Sequence, residues 1–129
     1  MKVKLGTLIG AEKALEKLNN TTGLKSVIAY RIMKNVAQIK RELHFCEEQR
    51  IKLCEKYAKK GNDEKLIIEN GNYVFSEDNY GLFVKEMKEL ADEEIDMIIE
   101  PLTLENIDCA GLSPAQIKSI EFMLKTDRI

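Results

Sequence analysis

One histidine, three cysteines and a short acidic run are the residues of this chain whose types and spacing invite chemistry. His44 and Cys46 stand two apart, and residues two apart on a helix do not face each other, so one helix cannot make them a nucleophile–base pair. A lone histidine with no Cys or His at ligand spacing is expected to be a solvated or core-edge residue rather than a metal ligand. Asp92-Glu-Glu-Ile-Asp96 places Asp92 and Asp96 on one helix face, the spacing of a paired carboxylate or a divalent-cation site. The alternation and central glycine of a calcium loop are missing, so solvated charge is the expectation. The seven glycines are scattered and build no phosphate-binding loop. Base, nucleophile and oxyanion donors do not come together in any motif, which predicts a protein that is not an enzyme and uses no cofactor and no metal.

Two charged surfaces remain. Lys34, Lys40, Arg41, Lys52, Lys56, Lys59 and Lys60 fall in one stretch, with Tyr30 and Tyr57 available to stack on a base. A nucleic-acid binder would use such a face, but the isoelectric point of about 5.6 is far below the basic range of such domains. Asp92, Glu93, Glu94, Asp96 and Glu100 form an acidic surface that could mimic nucleic acid or plug a basic groove on a partner protein.

The element that must position most of these groups is a single helix. Residues 24–60 contain neither Gly nor Pro. Along them Ile32, Val36, Ile39, Leu43, Cys46, Arg50, Leu53 and Tyr57 keep a 4-3-4-3 spacing, one seam on a helix of roughly 55 Å. A weaker stripe of Met33, Ala37, Ile51 and Cys54 is expected to widen the buried face. Arg50 interrupts the seam, where a charge fixes register or partner choice. A seam of that length needs a covering surface, from within the chain or from another subunit.

Around the helix the signals are local. Lys2-Val-Lys-Leu5 alternates as a strand with Val3 and Leu5 on one face. Thr7 is placed to cap a helix to about Leu18, ended by Asn19-Asn-Thr-Thr-Gly23. Asn70-Gly71 between apolar runs predicts a type I′ hairpin pairing Glu69 with Asn72, Ile68 with Tyr73, Ile67 with Val74 and Leu66 with Phe75. Ser76 opens a helix carrying Tyr80, Phe83, Met87 and Leu90, the expected antiparallel partner of the long one. Ile95, Met97 and Ile99, then Leu102 and Leu104, alternate as extended chain bent by Pro101. Ser113, Pro114 and Gln116 spell a capping box for a last helix to about Lys125, burying Ile117, Ile120 and Leu124.

These elements predict one domain over residues 1–129. The fold class is α+β, mainly α: a long helix with an antiparallel partner helix, one Asn-Gly β-hairpin and a small accessory sheet from the terminal segments. The net charge of −2 hides an asymmetry: residues 1–60 carry fourteen Lys/Arg and six Asp/Glu, and residues 61–129 six and sixteen. The two halves are expected to fold against each other and partly neutralise. No stretch approaches the ~18 apolar residues of a membrane span. Three cysteines, an odd number, read as reduced and mostly buried thiols.

Three patches carry a resemblance: Lys2-Val-Lys-Leu-Gly-Thr-Leu-Ile-Gly-Ala-Glu-Lys-Ala-Leu15, Phe45-Cys-Glu-Glu-Gln-Arg-Ile-Lys-Leu-Cys-Glu-Lys-Tyr57, and Glu100-Pro-Leu-Thr-Leu-Glu-Asn-Ile107 with Leu112-Ser-Pro. Together they resemble a family of small uncharacterised proteins of bacteriophages and prophages of Gram-positive bacteria. The resemblance implies a phage gene product in the bacterial host cytoplasm or built into a phage particle; it brings no activity and no site residues. The expected function is a non-enzymatic interaction protein, structural or assembly-related, that binds itself or a phage or host protein through its helix seam. A phage inhibitor of a host defence or regulatory protein, using the acidic surface, is the alternative, and nucleic-acid binding through the basic helix a third.

Overall fold

Alternation at the start of the chain produces a strand that runs straight into a helix. The computed structural model describes residues 1–125, in which β1 spans Lys2–Lys4 and α1 spans Leu5–Asn19. Val3 and Leu5 are both buried, as their shared face requires. Thr7 is not the cap. The helix begins three residues earlier, with Lys4 at the cap position and no side-chain cap, because the Leu5 N–H donates to the Glu93 carbonyl at 3.0 Å. A first-turn donor already satisfied by a neighbouring segment has no need of a side-chain oxygen. Gly23, at φ +81°, turns the chain into α2, Ser26–Tyr57, 32 residues long.

After α2 come β2 (Ile68–Glu69), β3 (Asn72–Tyr73), α3 (Glu77–Ala91), β4 (Glu94–Asp96), α4 (Leu104–Ile107) and α5 (Pro114–Ser119). The fold is mainly α, with two small antiparallel sheets, β1–β4 and β2–β3. Both α1 and α3 pack on α2, and each has 15 residues. Neither alone can cover 32. They lie in tandem. The start of α3 reaches the end of α2, where the Asn79 side-chain amide donates to the Tyr57 carbonyl at 3.2 Å. The end of α3 meets the start of α1, where a Cβ on Gly6 would lie 3.1 Å from the Ala91 carbonyl oxygen. The β1–β4 ladder (Lys2↔Asp96, Val3↔Ile95, Lys4↔Glu94) stitches that junction.

Replacing Gly6 by valine is therefore expected to cost about 1–3 kcal/mol by overpacking two backbones. Gly10→Ala, on the same helix with nothing within 4 Å of the added methyl, should instead stabilise by up to about 1 kcal/mol. Urea melts of the two variants check the contrast; equal effects would mean that α3 and α1 do not abut.

The hairpin turn forms as expected, with Asn70 at φ 52° and Gly71 at φ 79°. Glu69 pairs with Asn72 and Ile68 with Tyr73. The Val74 N–H donates to the Ile67 carbonyl at 3.3 Å. The expected Leu66–Phe75 pair is not made. Residues 58–60, leaving α2, bridge both arms instead: Ala58 to Phe75 and Lys60 to Leu66. A short hairpin is marginal alone, and the chain leaving the helix carries unpaired backbone groups that it can use.

Residues 97–101 run extended beside α2. Asn35, 0% exposed, grips them through its amide: Nδ2 donates to the Glu100 carbonyl and Oδ1 accepts from the Glu100 N–H, both at 2.8 Å. Gln38, one turn on, holds Ile98 in the same two-bond manner. Leu104 does not continue the alternation of Leu102. Thr103 and Asn106 form a reciprocal capping box that starts α4, so Leu102 is buried and Leu104 exposed. Ser113, Pro114 and Gln116 cap α5 as their spacing predicts. The helix stops at Ser119 rather than near Lys125. A 3-10 turn, Glu121–Met123, then delivers Leu124 to a parallel bridge with Leu102. Ile120 is fully buried, while Ile117 and Leu124 are half-buried.

Side chains from β1, α1, the first half of α2 and the segments after β4 make one apolar core. Residues 1–42 carry nine Lys/Arg against three Asp/Glu, and residues 92–125 carry two against eight. These +6 and −6 segments together build the body, so most of the charge asymmetry is absorbed there. Residues 43–91 form an arm beyond it.

Candidate protein-interaction surface

The seam divides at the boundary between body and arm. Ile32, Val36 and Ile39 are buried beneath α1, which places them out of a partner's reach. Leu43, Arg50, Leu53 and Tyr57 are only half-buried. The weaker stripe does not widen the buried face: Met33, Ala37 and Ile51 are exposed, and only Cys54 is covered. α1 and α3 follow one another along a single side of α2 and leave these positions open.

Within the arm the buried residues are few, namely Cys46, Cys54 and Ala58. No residue of α3 is buried, although its apolar side chains recur at helical spacing. Phe83, Met87 and Leu90 are half-buried against α2, and Tyr80 is 55% exposed. Phe75, Tyr80 and Phe83 cluster, with ring centroids 4.9–6.5 Å apart. With Tyr57 and Tyr73 they put five of the chain's eight aromatic residues in the arm's far half, none of them buried. Aromatic side chains that keep part of their surface in water are the residues on which protein interfaces concentrate binding energy.

Arg50 spends its charge locally. Its guanidinium donates to both carboxylate oxygens of Glu47, at 2.6 and 2.8 Å, and to Cys54 Sγ at 3.7 Å. That fork holds the Glu47 carboxyl below the ordinary carboxylate range, chiefly through the hydrogen bond. Glu86 is lowered too, chiefly by the neighbouring Tyr57 hydroxyl and then by Lys56. Its Oε2 is shielded from solvent with Lys56 Nζ at 3.6 Å, just beyond hydrogen-bond range. A carboxylate depressed in the folded chain stabilises it above the unfolded value, about 4.3 for Glu, and that contribution is lost as pH falls through the folded value. The arm is therefore expected to loosen as the solution is acidified below about pH 4.5, read by tyrosine fluorescence. Glu86→Gln should flatten part of the response; an unchanged acid profile in that variant would exclude Glu86 as a source.

Four of the five acidic residues are placed beside cations. Glu94 and Asp96 lie opposite Lys4 and Lys2 across the β1–β4 ladder. Asp92 is 4.0 Å from Lys4, and Glu100 3.4 Å from Lys34. Asp92, Glu93, Glu94 and Asp96 are exposed and Glu100 half-buried. They do not share one helix, because α3 ends at Ala91 and the run straightens into β4. On the basic side, Lys34 and Lys56 are each paired with an acid, while Lys40, Arg41, Lys52, Lys59 and Lys60 are exposed.

His44 is exposed and pairs with Glu48 at 3.1 Å on the same helix. The cysteines are all free; Cys46 and Cys54 are buried, their thiols pushed up mainly by burial, whereas Cys109 is exposed. Among the described residues no group of three or more His, Cys, Asp or Glu is arranged to hold a metal ion. No helix among them is long and apolar enough to cross a membrane.

Two structural features, involving three residues, are not visible in the apolar pattern of the sequence. Asn35 is a polar position on α2 to which only the neighbouring extended segment gives a role. Thr103 with Asn106 is a capping box that the sequence does carry, overlooked because the alternation of Leu102 and Leu104 suggested a strand. Compared with models of protein families, with curated proteins and with solved structures, the chain gives no match.

Proposed function

We propose that this chain is a non-enzymatic interaction protein of phage or prophage origin, structural or assembly-related, that binds a protein partner through its arm. The observation that supports the reading is α3: a 15-residue helix with apolar residues at 3-4 spacing and not one of them buried. Tyr80, Leu82 and Val84 are all exposed on it. A helix that keeps its own chain's contact shallow and presents aromatics to water is built for a second surface. The partner comes from the same cell or particle, so the host cytoplasm or the assembling phage is the proposed place of action. Phage origin rests on the resemblance of the three sequence patches.

The exposed apolar positions favour the arm over the acidic run, four of whose five members sit beside Lys2, Lys4 or Lys34. Affinity purification of the tagged chain from infected Gram-positive cells, compared with a Tyr80→Asp variant, tests the proposal. A co-purifying protein, or a second copy of the chain, lost with Tyr80→Asp supports it. Equal recovery of every partner by both chains removes the arm as the binding surface.

A further inference from the structure

The chain exposes 9235 Å², whereas a compact monomer of 14.8 kDa exposes roughly 7,000 Å². The surplus, about 2,000 Å² per chain, is of the size that stable homodimers remove from water. Residues 43–91 add only Cys46, Cys54 and Ala58 to the buried residues, and their charge does not forbid self-contact: they carry eight Lys/Arg and ten Asp/Glu, close to neutral.

One face of α3 has the order that a two-fold axis needs. Glu77, Tyr80, Gly81, Val84 and Lys88 follow 3-4 spacing and are all exposed. A Cβ placed on Gly81 would meet nothing within 4 Å. Acid stands at the N-terminal end of this stripe, base at the other, and a small residue beside a branched one in the middle. We infer that a second copy of this chain docks antiparallel on this face of α3, with the two-fold axis midway between Gly81 and Val84. Under that axis Val84 of each copy sits over Gly81 of the other, and Glu77 of each faces Lys88 of the other. Each contact is therefore made twice, residue i to j and j to i, as an isologous interface requires, and opposite charges meet at both ends of the stripe. The exposed Tyr80 ring, 55% open in the single chain, lies next to Lys85 of the second copy and gives that cation a π face.

This inference rests on the proposal that the arm is a binding surface and names its occupant. Sedimentation of the full chain from micromolar to several hundred micromolar concentrations should show a dimer. Val84→Asp, at a position 44% exposed, should weaken it by at least about thirtyfold, the scale of a hot-spot loss, without shifting the unfolding of the dissociated chain. Glu77→Lys and Lys88→Glu should each weaken the dimer, and the double exchange should restore it, because only self-pairing returns both contacts. Val27→Asp, exposed on the body, serves as the control and should leave it intact.

A chain monomeric throughout the range overturns the inference. So does a dimer indifferent to Val84→Asp, or one not rescued by the double exchange. The broader proposal fails separately: a monomer that still captures another protein, and loses it with Tyr80→Asp, keeps the arm as a binding surface and excludes only the second copy.

Discussion

Replacing Asn35 by leucine is expected to remove about 2–4 kcal/mol of folding stability, the cost of leaving a buried donor and acceptor unpaired. The leucine fills much the same volume, so the loss comes from the Glu100 backbone, whose N–H and carbonyl both bond the Asn35 amide at 2.8 Å. Gln38→Leu is the internal comparison. It breaks the equivalent pair of bonds to Ile98, but that residue is 81% exposed and water can take the amide's place. Its cost should stay below about 1 kcal/mol. Urea unfolding followed by circular dichroism measures both, and similar losses would mean that burial does not distinguish the two clamps. Because the clamp ties residues 97–101 to α2, Asn35→Leu should also speed amide exchange in that segment.

Leu8→Ala should cost about 2–5 kcal/mol. Leu8 is fully buried on α1, in the core that α1 builds with Ile32, Val36 and Ile39. The backbone cannot follow the lost side chain inward, since Gly6 already abuts Ala91 at the head of the same helix. Against a typical domain stability of about 5–15 kcal/mol, this one change can expose most of the remaining margin. Val84→Ala in α3 should shift the monomer's stability by less than about 0.5 kcal/mol, as surface substitutions do. A Leu8→Ala variant that melts like the parent would show that α1 does not cover the seam. A Val84→Ala variant as damaged as Leu8→Ala would show that α3 is core rather than surface.

The contrast between these two positions is the contrast between body and arm. The body has a continuous core, cancelled charge and clamped backbone. The arm has three buried small residues, an aromatic cluster open to water and two carboxylates held below their ordinary range. Low apolar burial is the physical mark of a region that opens at low free energy, so amide exchange should be faster in α3 than in α1 although the two helices are equally long.

Much of this architecture is written locally in the chain. Heptad spacing specifies α2, because a helix turning every 3.6 residues can present such a stripe on one side only. Asn70-Gly71 specifies its turn, because both residues must take positive φ. Ser113-Pro-Ala-Gln116 specifies the start of α5 through two reciprocal hydrogen bonds closed within four residues. Each depends on neighbours in sequence, so each can be read without a fold. Tertiary structure alone decided which surface meets which. Two half-length helices from distant parts of the chain cover α2 in tandem, so Ile32 became core while Leu53, on the same stripe, stayed half open. Chain segments 58–60 displaced the Leu66–Phe75 pair, and a strand after α3 straightened an acidic run that helical spacing would have gathered on one face. The spacing of residues shows which side of an element must be covered; what covers it depends on long-range packing, where loop entropy and backbone hydrogen-bond satisfaction are settled across the whole molecule.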